Sequence, residues 1–168
     1  MVGRSIPHRE MTGNVAAAWV VGPGMTNTPD KIVYTAQATV TGGRRGGHGR
    51  TSDGQLEVDL QAPTEMGGPG GGTNPEQLFA VGYGACFTGA LGLAGKAEGI
   101  DTSGASTEVS VHFGPEGESF AISVELDVTI PGVDDAAAQK LVDRTHELCP
   151  YSKATRGNVD VVVTGRAA

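Results

Sequence analysis

From Phe120 to Ile130 the chain alternates without a break. Phe120, Ile122, Val124, Leu126, Val128 and Ile130 fall on one side; Ser123, Glu125, Asp127 and Thr129 fall on the other. A period of two is the signature of a strand with one buried face. The preceding STEVSVHFGPEGES carries Val109, Val111 and Phe113 at the same spacing and closes on a Gly-Pro-rich turn, which predicts its hairpin partner. Leu56, Val58 and Leu60 alternate with Gln55, Glu57 and Asp59 in another half-buried strand. The β-branched and aromatic run IVYTAQATVT, residues 32–41, stops at Gly42-Gly43, and VDVVVTG reads as a last strand near the C-terminus.

Two segments break that period and predict helices. TNPEQLFAVGYGACFTGALGLAGKAEG opens with Asn74 as N-cap, Pro75 at the first helical position and Glu76 in the first turn, where a carboxylate complements the helix dipole. From Leu78 to Ala94 it is apolar almost all round, the pattern of a helix enclosed on most sides. Its glycines at 82, 84, 89, 92 and 95 each cost about 0.8–1 kcal/mol relative to alanine, so close packing has to offset them. The second helix, DDAAAQKLVDRTHELCP, starts acidic and stops at Pro150. The order of two strands, helix, two strands, helix, strand, with antiparallel-type alternation, indicates an α+β fold: a curved antiparallel sheet with the long helix on one face.

Composition narrows the class. A chain of 168 residues buries a core without staples, so one domain is expected. Residues 1–30 contain only the short apolar run VAAAWVV ahead of Gly-Pro-Gly, at the lower limit for a secretory signal. They read as a disordered extension, with residues 31–168 as the single domain of a cytoplasmic protein. A net charge of -7 and a pI near 5.0 argue against nucleic acid and anionic membranes, leaving a neutral or weakly polar small molecule as the better ligand. No apolar run approaches the ~18 residues of a membrane span.

Three motifs fall away on inspection. GGPGGGTN lacks the lysine of a phosphate loop and reads as a flexible lead into the helix. GGRRGGHGR is too short for a nucleic-acid finger and reads as a solvated turn with one purposeful arginine. His146, Cys149 and Cys86 lack a further metal ligand. The two cysteines remain. By composition Cys86, inside an apolar helix, is a small inert core residue, whereas Cys149, at a helix end before proline, is the more exposed and mobile thiol. They are 63 positions apart, a separation without geometric content, so a dithiol couple stays open beside the inert reading.

TNPEQLFAVGYGACFTGAL and ELCPYSKATRGNVDV resemble the two cysteine segments of the organic hydroperoxide resistance (Ohr) branch of the OsmC/Ohr family of thiol peroxidases. The likeness runs on through VYTAQATVTGGR, SDGQLEVDLQAPTEMGG and FAISVELDVTIPG, covering residues 32–164. It implies an intertwined homodimer with sites at the interface, Cys86 as the peroxidatic thiol and Cys149 as the resolving one. It further implies that Arg44, aligned on Gly42-Gly43 and followed directly by Arg45, works with Glu76 of the Asn-Pro-Glu-Gln segment. No bound cofactor is expected. The implied partners are organic and fatty-acid hydroperoxides, met by a pocket that includes Phe79, Phe87 and Leu91, and lipoylated proteins whose dihydrolipoyl groups serve as external reductant.

Chemistry constrains that picture. The nucleophile is a thiolate, yet Cys86 sits mid-helix, beyond reach of the N-terminal dipole, so a cation such as Arg44, oriented by Glu76, has to favour ionisation. Glu76 and Cys86 are ten residues apart, about 15 Å along a continuous helix and roughly 80° around it. Either the helix breaks or Arg44 and Glu76 act from a second subunit, and the implied homodimer favours the second. The competing readings are a non-enzymatic redox sensor or hydrophobic-ligand-binding protein, and a structural domain with inert thiols.

Overall fold

The strict alternation over residues 120–130 folds as the central strand of a sheet in a computed structural model that describes residues 27–168. The expected extension over residues 1–30 lies, up to residue 26, outside the described residues. Residues Val33–Ala168 form one compact unit. β4 (Ser106–Glu116) and β5 (Ser119–Ile130) make the expected antiparallel hairpin, with Val109 opposite Leu126 and Val111 opposite Val124. Val124, Leu126, Val128 and Ile130 are fully buried. Phe120 keeps their parity but is 62% exposed near the hairpin tip, where its ring stacks on Phe113 with centroids 4.9 Å apart. β6 (Asp160–Ala167) joins β5 parallel, after a crossover through α2 (Asp135–Leu148) and α3 (Pro150–Thr155). Alternation reports burial of one face and is blind to strand direction, so this parallel pair inside an otherwise antiparallel fold left no mark in the pattern.

The other sheet has the order β1 (Ala38–Thr41), β2 (Gly47–Thr51), β3 (Glu57–Leu60), all antiparallel. Its middle strand corrects the sequence reading, which placed GGHGR in a solvated turn. The buried positions of β2 are Gly47 and Gly49, so the strand has no hydrophobic side chain to betray it. A Cβ on Gly47 would lie 2.3 Å from the carbonyl oxygen of Gly43. Only glycine lets the Arg44 turn fold back onto this strand. The expected strand over 32–41 is regular only from Ala38, and β1 is exposed along its length.

α1 (Pro75–Glu98) begins as expected, with the Asn74 side chain accepting from the Gln77 N–H, and ends at Gly99 in the left-handed region. The loop before it, expected to be flexible, is packed: Thr73 exchanges main-chain hydrogen bonds with Asp59 and Gln61, and a Cβ on Gly68 would meet the Ala62 carbonyl at 2.1 Å. This docking ties the start of α1 to the end of β3. Tyr83, Phe87, Ala90, Leu91 and Ala94 bury one face of α1 with β5 and α2 in the core. Val81 and Leu93 on other faces are 73% and 68% exposed, so a single chain does not enclose the helix on most sides. The sequence reading found no run approaching a membrane span, yet α1 is long and apolar enough to cross a bilayer by length and composition alone; its buried face belongs to this core. Of its glycines, Gly84 accommodates Val109 of β4 and Gly95 the turn at Ile100, while Gly89 and Gly92 face open space among the described residues.

Candidate active site

Cys149 lies between two helices, closing α2 and opening α3, because Pro150 ends one helix and supplies the first position of the next. The sequence reading took proline only as a stop and so missed α3. It also expected an exposed Cys149, which is instead completely buried, whereas Cys86 is half-buried. The fold brings the two together: the Cys149 thiol points at Cys86 with the sulfurs 3.5 Å apart. Burial is the leading influence on Cys86 and pushes its thiol up, the main chain of Tyr151 opposes this, and neighbouring Cys149 adds to the rise. Among the described residues of one chain, the groups acting on Cys86 include no cation.

The wall beside the sulfurs is aromatic. Phe79 meets Tyr83 edge-on at 5.8 Å, and Tyr151 tilts against both rings. Phe79 is half-buried and accessible to a ligand. Phe87 and Leu91, expected in the pocket, are completely buried, because their positions on α1 point into the core shared with β5 and α2.

Arg44 and Glu76 come together as a fork-to-fork pair, each guanidinium nitrogen donating to one carboxylate oxygen at 2.7 Å. Those two hydrogen bonds hold the Glu76 carboxyl below its ordinary range and raise Arg44 further. The guanidinium also lies 4.6 Å over the Phe113 ring, which fixes its other face. A cavity of about 350 Å³ beside Glu76 is lined by Pro63, Met66, Ala80, Val109, Val111 and Phe113 among others. α1 is continuous from Pro75 to Glu98, so the option of a broken helix falls away and the pair stands about 15 Å along the axis from Cys86. Among the described residues one chain therefore carries two separated half-sites: a dithiol with no cation, and a clamped cation with no thiol.

Phe113 escaped the sequence reading as a site residue, because it carried only the signal of an inward strand position.

Residues 68–164 match the family model described as OsmC-like protein. The chain is 50% identical over 139 residues to the organic hydroperoxide resistance protein of Xanthomonas axonopodis pv. citri (strain 306), covering 82% of this chain and 97% of that one. It is 46% identical over 130 residues to OhrB of Bacillus subtilis (strain 168), covering 77% and 95%. Among solved structures, an organic hydroperoxide resistance protein from Elizabethkingia anophelis superposes with a TM-score of 0.77 at 43% identity, covering 82% of this chain and 99% of that one.

Proposed function

This chain belongs to the OsmC/Ohr family, on its organic hydroperoxide resistance branch, and we propose from that premise that it detoxifies organic hydroperoxides in the cytoplasm as a thiol peroxidase. The observation that carries the reading is the 3.5 Å approach of the sulfurs of Cys86 and Cys149 across 63 positions of sequence. In the proposed cycle the Cys86 thiolate attacks the terminal oxygen of ROOH. The S–O bond forms as the O–O bond breaks, and the alkoxide leaves as ROH after taking a proton, with Cys86 now a sulfenic acid. Cys149 then attacks that sulfur, forming the disulfide and releasing water. An external dithiol, of the dihydrolipoyl type, reduces the disulfide by exchange and is itself oxidised to a cyclic disulfide.

Arg44 is assigned to stabilise the thiolate and the peroxide oxygens, and Glu76 and Phe113 to fix its orientation. Because Arg44 is tied to Glu76 far along α1 from Cys86, it serves the Cys86 of a second subunit. Two features support such a dimer: the open side of α1 at Val81, Gly89, Gly92 and Leu93, and a β1–β3 sheet whose first strand is wholly exposed. The cavity beside Glu76, together with Phe79 of the facing chain, would then hold an apolar R group. The deciding assay is rapid mixing with cumene hydroperoxide, followed by turnover with dihydrolipoamide and with a monothiol. Fast stoichiometric disulfide formation with dithiol-dependent turnover supports the peroxidase. Oxidation no faster than that of free cysteine supports the second reading, a redox sensor or hydrophobic-ligand-binding protein on the same fold.

A further inference from the structure

A cluster of hydroxyl groups sealed behind the two sulfurs has no part in the chemistry described above. Tyr83 is completely buried, and its phenol donates to Ser152 Oγ at 2.9 Å and lies 3.2 Å from Thr155 Oγ1. Ser152 is completely buried and Thr155 nearly so. Thr155 also donates to the carbonyl oxygens of Tyr151 and Ser152. A phenylalanine would fill the space of Tyr83 without an oxygen that needs partners in the core. The positions joined by the cluster suggest why the oxygen is there. Tyr83 is three residues before Cys86 on α1, and Ser152 is three residues after Cys149 on α3.

α3 has only six residues and no side-chain cap at its start, so it has little helical stability of its own. Its place against α1 depends on tertiary contacts, chiefly the Tyr151 ring and this hydroxyl cluster. We infer that Tyr83 is a positioning residue whose phenol clamps α3 to α1 and so holds the Cys149 sulfur within reach of Cys86. The inference rests on the proposed dithiol cycle, in which the 3.5 Å approach closes to a bond of about 2.05 Å. In that step Cys149 attacks the Cys86 sulfenic acid, the S–S bond forms, the S–O bond breaks and water leaves. The clamp acts while the sulfurs are separate. Once they are joined, the covalent link keeps α3 docked with or without the clamp, so losing the clamp lets α3 of the reduced and sulfenic forms leave the bonding arrangement and disfavours the disulfide relative to them.

The test uses Tyr83→Phe, which keeps the ring beside Phe79 and Tyr151 and removes only the hydroxyl. Full-length wild type and variant are equilibrated in mixtures of reduced and oxidised glutathione, and the Cys86–Cys149 disulfide is counted by alkylation and mass. The expected result is a roughly tenfold lower effective concentration of one thiol toward the other, the order carried by one buried hydrogen bond and equal to a shift of about 30 mV. Ser152→Ala should lower it similarly, with a double variant little worse than either single one. Ser152→Ala also carries the comparison if Tyr83→Phe folds poorly. Under excess cumene hydroperoxide, Tyr83→Phe should accumulate more sulfinic acid on Cys86 than wild type. A tyrosine that only supports the fold would lower the melting temperature and leave the glutathione equilibrium unchanged, and that result overturns the inference. The glutathione measurement needs no peroxide. A wild type that forms the disulfide in glutathione but fails to consume hydroperoxide would therefore sink the proposed function alone.

Discussion

Cys86 and Cys149 meet sulfur to sulfur at 3.5 Å with unequal access, Cys149 being completely buried and Cys86 half-buried. An incoming thiolate attacks in line with the S–S bond and needs a clear path to one sulfur. Cys86 offers that path. Brief treatment of the oxidised protein with a monothiol, followed by acid quenching and peptide mapping, is expected to place the mixed disulfide on Cys86. An adduct found mainly on Cys149 would mean that α3 opens before reduction.

The separation of the Arg44–Glu76 pair from Cys86 along an unbroken helix predicts complementation between defective chains. Neither Cys86→Ser nor Arg44→Ala should turn over cumene hydroperoxide by itself. Mixed dimers of the two should regain one working site per heterodimer, about a quarter of wild-type activity in a random mixture. Silence in a mixture shown to contain heterodimers would assign Arg44 to the thiol of its own chain.

The proposed action of Arg44 on Cys86 is open to a pH measurement. In a Cys149→Ser background only Cys86 alkylates, and only as thiolate. With Arg44 present in the proposed dimer, the alkylation profile should rise below the ordinary thiol value of about 8.5. With Arg44→Ala, burial prevails and the profile should move to higher pH. Coincident profiles would remove Arg44 from the role of activating cation.

Glu76 offers a second pH dependence, of opposite consequence. Its carboxyl is held below the ordinary range in the folded chain, so folding favours the ionised form. The pair's contribution is complete above the usual carboxylate range and is lost as pH falls through the depressed folded value. Glu76→Gln should therefore destabilise the protein at neutral pH by about 1 kcal/mol, with the difference shrinking in acid. Denaturant unfolding of both proteins across that range tests the sign, and a gap that widened in acid would contradict it.

What could be read from the sequence follows from where side chains carry the signal. The β4–β5 hairpin and the start of α1 were legible because Val124 to Ile130 alternate and Asn74, Pro75 and Glu76 have position-specific chemistry. β2 was not, because its buried positions are glycines, and the constraint at Gly47 is exerted by the backbone of Gly43. Pro150 has two meanings, an end and a beginning, and only the fold selects both. The resemblance paired Cys86 with Cys149 and Arg44 with Glu76, and both pairs are adjacent in space. The burial of Phe87, Leu91 and Cys149 depends on how α1 and α2 are turned against the sheet, a tertiary matter that one-dimensional patterns do not carry.

The segment between the two thiols contains the β4–β5 hairpin and all of α2. Joining Cys86 to Cys149 closes a loop of about 63 residues, which in the chain-entropy account withdraws about 4 kcal/mol of freedom from the unfolded state. The proposed catalytic intermediate is thus also a cross-linked, more heat-resistant protein. Under a burst of hydroperoxide, when reductant runs short, the population would drift toward the form least prone to unfold and be degraded. It would return to ordinary stability as the dithiol supply recovers.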